Sequence, residues 1–225
     1  MTAAIILAAG RGERMGAKED KAFLNLGPRP LVAYSLAAFE ACGDVDAIVL
    51  AVREGREDAA RDLCRRLGVS KLSAVVIGGP LRQDSVRAGL AALPPDAEFV
   101  AVHDAARPLV TPELISATIL SACEKGSGVA AAKVVDTLKL AGPDGVAVST
   151  VDRAGLWAVA TPQTFRAEIL RRAYDAVTAA GAVVTDDAGA LEFIGEKTSL
   201  VEWRRPNLKV TVAEDIAVAE ALMRI

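Results

Sequence analysis

The feature that most constrains this chain is an alternation of short apolar runs with amphipathic segments of ten residues or more. Ala3–Ala9, Ala47–Val52, Ser73–Ile77, Phe99–Val102 and Val129–Val135 are nearly continuous in apolar residues and short enough to be buried strands. Between them, Val32, Leu36 and Phe39, the stretch Ala60–Leu67, the set Val86, Leu90 and Leu93, and the stretch Ile115–Cys123 keep helical spacing. Strands that are apolar on both faces and separated by helices predict an α/β fold, with a mainly parallel sheet covered on both sides. Thr111-Pro112-Glu113 predicts a helix start with threonine as cap and proline in the first turn, and Thr211-Val212-Ala213-Glu214 reads as a capping box. With aromatics at 4% of the chain and apolar residues at 52%, the core is expected to be aliphatic and alanine-rich. No repeat, low-complexity tract or linker interrupts the 225 residues, so 1–225 is read as one domain.

The alternation breaks between Asp136 and Ala160. Thr137–Leu140 and Val146–Val151 flank Gly142-Pro143-Asp144-Gly145, which is turn chemistry, and Asp152-Arg153-Ala154-Gly155 leads back into Leu156–Ala160. This is read as a β-arm at about 136–160 that projects from the sheet. A two-stranded hairpin is marginal alone in water, so the arm is expected to pack on a second subunit.

Several function classes are excluded. Lys and Arg number 26 against 29 Asp and Glu, so no overall basic charge points to nucleic acid. The longest apolar run, Ala3–Ala9, is too short to span a bilayer, and no basic segment precedes an apolar leader. Cys42, Cys64 and Cys123 are odd in number and lack zinc spacing; Cys64 and Cys123 fall at helical spacing and are read as core thiols, which suits a reducing cytoplasm. The single histidine, His103, rules out any metal site needing two, and is read as a structural hydrogen-bonding residue.

After the first strand comes Leu7-Ala8-Ala9-Gly10-Arg11-Gly12-Glu13-Arg14-Met15-Gly16, where small residues let backbone N–H groups approach a phosphate. A dinucleotide turn would need its third glycine at Met15, and it would pass straight into a helix; Gly16 is one place late and a polar stretch with Lys18, Asp20 and Lys21 follows. Arg53, after the second strand, is the one residue that favours an NADP reading. No Gly-Lys-Ser/Thr follows, so a P-loop is excluded. At the end of the fourth predicted strand, Asp104 in His103-Asp104-Ala105-Ala106-Arg107-Pro108 is placed to hold a Mg²⁺ already bound by phosphates, and Arg107 to pair with a phosphate; Asp104 as a turn cap paired with Arg107 is the structural alternative.

Six segments then occur in a fixed order: Ala8-Ala9-Gly10 with Gly12, Arg14 and Met15; Gly78-Gly79 with Arg82, Ser85 and Val86; Val102 to Pro108; Asp136-Thr137; Thr161-Pro162-Gln163; and Lys209-Val210-Thr211. Together, and over essentially the whole chain, they resemble the 2-C-methyl-D-erythritol 4-phosphate cytidylyltransferases of the non-mevalonate isoprenoid pathway. The resemblance implies a Rossmann-like nucleotidyltransferase fold, a three-layer sandwich, and a cytoplasmic enzyme that uses CTP as co-substrate and Mg²⁺ as cofactor and dimerises through an exchanged arm. It implies that Ala8, Ala9, Gly10, Arg11 and Gly12 wrap the CTP phosphates, with Gly79, Arg82, Ser85, Asp104 and Ala105 around the cytosine and ribose and Asp104 also at the metal. Arg14, Lys21 and Lys209 would be catalytic. Arg107, Thr161 and Thr185 would bind the methylerythritol phosphate, and Asp136, Thr137 and Arg153 would reach the partner's site. Lys21, rather than Lys18, is followed by Phe23-Leu24 as the family's lysine is by an aromatic and a leucine. Thr185, ahead of Asp186, Asp187 and Ala188, equally suits a helix N-cap. A ribitol 5-phosphate or other sugar-phosphate nucleotidyltransferase shares part of the pattern, and a non-catalytic nucleotide-binding regulator is the alternative of another class.

Overall fold

The computed structural model describes residues 1–10 and 20–224. Among these, the strands and helices run in the order β1 (Thr2–Leu7), β2 (Asn25–Leu26), β3 (Arg29–Pro30), α1 (Leu31–Ala41), β4 (Ala47–Val52), α2 (Glu57–Leu67), β5 (Leu72–Ile77), α3 (Arg82–Ala91), β6 (Phe99–Asp104), α4 (Pro112–Lys125), β7 (Ser127–Lys133), β8 (Leu138–Ala141), β9 (Ala147–Val151), β10 (Trp157–Arg166), α5 (Ala167–Ala179), α6 (Asp187–Phe193), β11 (Leu200–Glu202) and α7 (Glu214–Leu222).

Seven strands of the described residues form one sheet in the order β11-β7-β10-β6-β1-β4-β5. All pairings are parallel except those of β10, which runs antiparallel to both β6 and β7. The central strands β1, β4 and β6 are sandwiched as their composition predicts, because side chains alternate across each strand. On β1, Ala4 and Ile6 pack with Leu36, Phe39 and Ile115, while Ala3 and Ile5 pack on the other face with Val86, Leu170 and Tyr174. The fully buried leucines and isoleucines of these two layers contribute roughly 1.5–3 kcal/mol each by leaving water.

The expectations from sequence need four corrections. The segment read as Leu156–Ala160 continues as β10 to Arg166 inside the main sheet, because its β-bulge between Val159 and Gln163 carries the chain from the arm into the core. Ser73–Ile77, read as a buried strand, lies in the edge strand β5, where only Val75 is buried because no strand covers its outer side. The capping box read at α7 is absent: no side chain caps this helix, and Asp215, not Glu214, reaches back to accept from the N–H groups of Thr211 (2.6 Å) and Val212 (3.0 Å) and from the Thr211 hydroxyl (2.8 Å). Cys123 is exposed on α4, whereas Cys42 and Cys64 are buried. The predicted cap of α4 is present, with Thr111 Oγ1 accepting from the Leu114 N–H at 3.4 Å.

The arm, β8 and β9, is a separate two-stranded sheet whose Leu140, Val146 and Val148 lie open to solvent. At the other extreme of packing, a Cβ built on Gly128 of β7 would lie 2.0 Å from the Thr118 carbonyl oxygen of α4. A backbone carbonyl inside a helix cannot move aside, so Gly128→Ala is expected to cost about 3 kcal/mol of stability, read as a lower urea midpoint. A midpoint unchanged within error would mean that α4 can slide off β7 freely.

Candidate active site

The chain runs β1, β4, β5 outward to one edge of the sheet and then returns to place β6 on the other side of β1. At such a reversal the loops leaving neighbouring strands diverge and leave a crevice at their carboxyl ends. Ala8, Ala9 and Gly10 leave β1 there and Asp104 ends β6, with Leu7 and Asp104 as register partners. The crevice holds a cavity of about 860 Å³ bordered by the Ala8–Gly10 loop, Lys21, Gly79, Ser85, Asp104 and Lys209. Gly78 lets its walls meet: a Cβ there would fall 2.4 Å from Ala9 Cβ and 2.6 Å from Ser85 Oγ. At Gly79 a Cβ would fall 2.3 Å from Asp84 Cβ, and the Asp84 carboxylate accepts the Leu81 N–H (3.0 Å) to start α3 at the cavity rim.

A second cavity of about 280 Å³ shares Arg82, Asp104 and Lys209 with the first and is lined beyond them by Arg107, Thr161 and Thr185. Three charged side chains thus form the wall between the two spaces. Lys209 Nζ donates to Asp104 Oδ2 at 2.6 Å, Arg82 Nε to Asp104 Oδ1 at 3.1 Å, and Arg82 Nη2 to Asp187 Oδ2 at 2.7 Å. Burial alone would raise the Asp104 pKa, but Arg82 and then Lys209 hold it well below the usual carboxylate range. Burial likewise disfavours the Arg82 cation, and Asp187 with Asp104 overcomes it, holding the guanidinium charged.

His103 supports this wall from beneath and is fully buried. Its Nε2 lies 3.3 Å from the Arg107 carbonyl oxygen, which can only accept, so Nε2 carries the proton. Nδ1 is then an acceptor for the Thr161 hydroxyl at 3.1 Å, which leaves the Thr161 oxygen to accept the Asp104 N–H at 3.1 Å. Burial pushes the His103 pKa down to about 3, so the imidazole is neutral and a poor base. Arg107 pairs with the Asn207 carbonyl (2.7 Å) rather than with Asp104, and its Nε is a buried donor with no partner among the described residues.

The structure therefore brings Ala8, Ala9, Gly10, Lys21, Gly79, Arg82, Ser85, Asp104 and Lys209 to one cavity and Arg107, Thr161 and Thr185 to the adjoining one. Ala105 lines neither: it is buried in the core with its N–H donated to the Leu7 carbonyl (3.0 Å). Thr185 is not the cap of α6; Asp186 is, accepting the Gly189 N–H at 2.9 Å, which leaves Thr185 exposed to the smaller cavity. Asp136, Thr137 and Arg153 lie on the arm, exposed and outside both cavities, with Arg153 bonded to the Val135 carbonyl. Arg11, Gly12 and Arg14 lie outside the described residues. Arg53 borders the larger cavity and pairs with Asp20 (2.5 Å). Asp187 and Tyr174 carry no catalytic signal in the sequence: Asp187 reads only as a first-turn acid after Thr185, and Tyr174 belongs to no motif.

A crevice of glycine-bearing loops with an anionic strand end flanked by cations, on a mainly parallel sheet carrying one antiparallel strand, defines an α/β protein of the nucleotidyltransferase type. The family model for 2-C-methyl-D-erythritol 4-phosphate cytidylyltransferase matches residues 2–225, and the chain belongs to that family. A protein of that name from Pelotomaculum thermopropionicum is 43% identical over 223 residues, covering 99% of this chain and 94% of the relative. The crystal structure of 4-diphosphocytidyl-2C-methyl-D-erythritol synthase from Anaerococcus prevotii superimposes with a TM-score of 0.87 at 31% identity, covering 100% of this chain and 96% of that one. That of the cytidylyltransferase from Thermus thermophilus gives 0.81 at 32% identity, covering all of both chains.

Proposed function

We propose that the protein transfers the cytidylyl group of CTP to 2-C-methyl-D-erythritol 4-phosphate, with CTP in the larger cavity and the acceptor in the smaller. The observation that carries this reading is the shared wall of Asp104, Arg82 and Lys209, which puts cationic donors where the two anionic ligands must meet. An oxygen of the acceptor phosphate attacks the α-phosphorus, the bond from that phosphorus to the bridging oxygen breaks, and pyrophosphate leaves with its electron pair. The second pKa of a phosphate monoester is about 6, so at neutral pH the nucleophile is already largely dianionic and needs no general base. This suits a site whose histidine is buried and only weakly basic.

The residues instead supply positioned positive charge. Lys21 and Lys209 would meet the phosphates undergoing reaction, and the family resemblance gives Arg14, which lies outside the described residues, the same role. Arg107 offers its unpartnered Nε to the acceptor phosphate, with Thr185 beside it. Thr161 contributes through Asp104 and His103, on which its hydroxyl is spent. A Mg²⁺ suits Asp104, whose carboxylate is held ionised where the two cavities meet, because a single protein oxygen is enough for an ion held mainly by phosphates and water. Asp104 would contribute one oxygen to it, and the ion would supply neutralisation of triphosphate charge.

The exposed apolar side chains of the arm are best covered by a second copy of the chain, which would deliver Asp136, Thr137 and Arg153 to the neighbouring site. Mixing Lys21→Ala with Arg153→Ala protein is expected to restore part of the activity through hybrid dimers. No recovery after verified subunit exchange would rule out shared sites. No helix of the described residues is long and apolar enough to cross a membrane, and the reaction proposed is one of the cytoplasm. The direct test is pyrophosphate release with each nucleoside triphosphate and with methylerythritol 4-phosphate or ribitol 5-phosphate. Turnover with CTP and the methylerythritol phosphate is expected; turnover only with the pentitol would overturn the acceptor.

A further inference from the structure

A guanidinium beside one carboxylate ordinarily binds it with two parallel N–H···O bonds, and Nε with Nη2 forms an edge suited to this. In this protein that edge is divided between two aspartates, Nε going to Asp104 and Nη2 to Asp187. Asp187 has no exposed surface, and its other oxygen accepts the Tyr174 hydroxyl at 2.6 Å. The backbone around it is held as firmly. Gln83, next to Arg82 on α3, donates to the Ala182 carbonyl (3.1 Å) and accepts the Val184 N–H (3.1 Å). Gln163 of β10 donates to Asp186 (2.9 Å) and accepts the Ala188 N–H (2.9 Å). The Asp187 carboxylate is therefore a fixed post, whereas Arg82 is a long side chain that would otherwise turn both nitrogens onto Asp104.

We propose that Asp187 is a positioning residue for cytidylyl transfer, dividing the Arg82 fork so that Asp104 keeps its second oxygen for Lys209 and the reacting ligands. The inference rests on the function proposed above. Its test is to measure kcat, KM for both substrates and Tm of Asp187→Ala, Asp187→Asn and Tyr174→Phe beside the wild type, and to solve the Asp187→Ala structure. Asp187→Ala is expected to lower kcat tenfold to a hundredfold, the usual effect of losing a group that orients a site residue. Asp187→Asn, which keeps an oxygen for Arg82, is expected to recover most of that loss. Tyr174→Phe strips the same carboxylate of its other partner, so it is expected to lower Tm while kcat stays within about threefold. In the Asp187→Ala structure Arg82 should bind both oxygens of Asp104.

Asp187→Ala with kcat within threefold of wild type, or Tyr174→Phe losing kcat equally, would overturn the proposal. If Asp187→Ala does not fold, Asp187→Ser decides, since its short hydroxyl leaves Tyr174 a partner but gives Arg82 no carboxylate: a kcat reduced at least threefold with Tm within a few degrees of wild type supports the proposal, and any other result overturns it. A wild type without turnover would sink the reaction and not the geometry. The Arg82 fork would then be judged from the Asp187→Ala structure, or from Asp187→Asn if that variant alone folds. Arg82 bound to Asp104 through Nε alone in Asp187→Ala, or joined to Asp104 alone in Asp187→Asn, is the overturning result.

Discussion

Lys21→Ala is expected to lower kcat a hundredfold or more with little change in Tm. Lys21 borders the larger cavity at the start of a 3₁₀ turn, Lys21–Phe23, whose Ala22 is buried. Its backbone is pinned from the preceding residue, since Asp20 is only 3% exposed and is held by Arg53 (2.5 Å) and Arg56 (2.7 Å). Arg56 in turn lies over the Phe23 ring, 5.8 Å from its centre. A lysine anchored this way meets the developing charge with no reorganisation, and removing one such donor costs about 3–4 kcal/mol of transition-state stabilisation. Lys21 is half-buried at the cavity rim and lies outside the two apolar layers, so kcat is expected to fall without loss of the cooperative melt. If Lys18→Ala proved the crippling change and Lys21→Ala a mild one, the assignment of this lysine would be wrong.

The second large effect is expected at Asp104. Asp104→Asn preserves shape but turns one of two acceptors into a donor, opposite either Arg82 Nε or Lys209 Nζ. Arg82, its side chain 22% exposed, would keep only Asp187 as counter-charge. Breaking a buried pair by removing one partner costs several kcal/mol; with Lys209 half-exposed and free to rehydrate, a loss of about 2 kcal/mol, or about 5 °C in Tm, is expected. Activity should fall further than stability, by about a hundredfold or more, because the wall between the two cavities loses its negative centre and the proposed metal its protein ligand. Steady-state kinetics with differential scanning calorimetry checks both. A variant that melts earlier yet turns over normally would reduce Asp104 to a structural role.

Much of this site was legible because its parts sit at strand ends. An apolar run followed by Ala8-Ala9-Gly10, and another followed by Asp104, announce loops at the carboxyl edge of a parallel sheet, where ligands collect. Lys209 was legible only through the family's pattern; nothing in its local sequence says that it reaches a residue 105 positions earlier. The Gly78-Gly79 pair was legible only as part of the family's pattern, and its physical reason is contact: Ala9, Ser85 and Asp84 already occupy the space a side chain would need.

Local periodicity and chain connectivity were enough for the sequence by itself to determine the layered α/β class, the central strands β1, β4 and β6, the helices between them, the arm, and the position of two loops at the carboxyl ends of β1 and β6. Hydrophobic patterning sets which face of each segment leaves water, and that is enough to fix layers. Only the tertiary structure decided that β10 runs antiparallel between β6 and β7, that Thr161 spends its hydroxyl on Asp104 and His103, and that Asp187, which also accepts from Tyr174, pairs with Arg82 at the junction of the two cavities. Those relations join residues far apart in the chain through directional hydrogen bonds, and such bonds leave no periodic trace in the sequence.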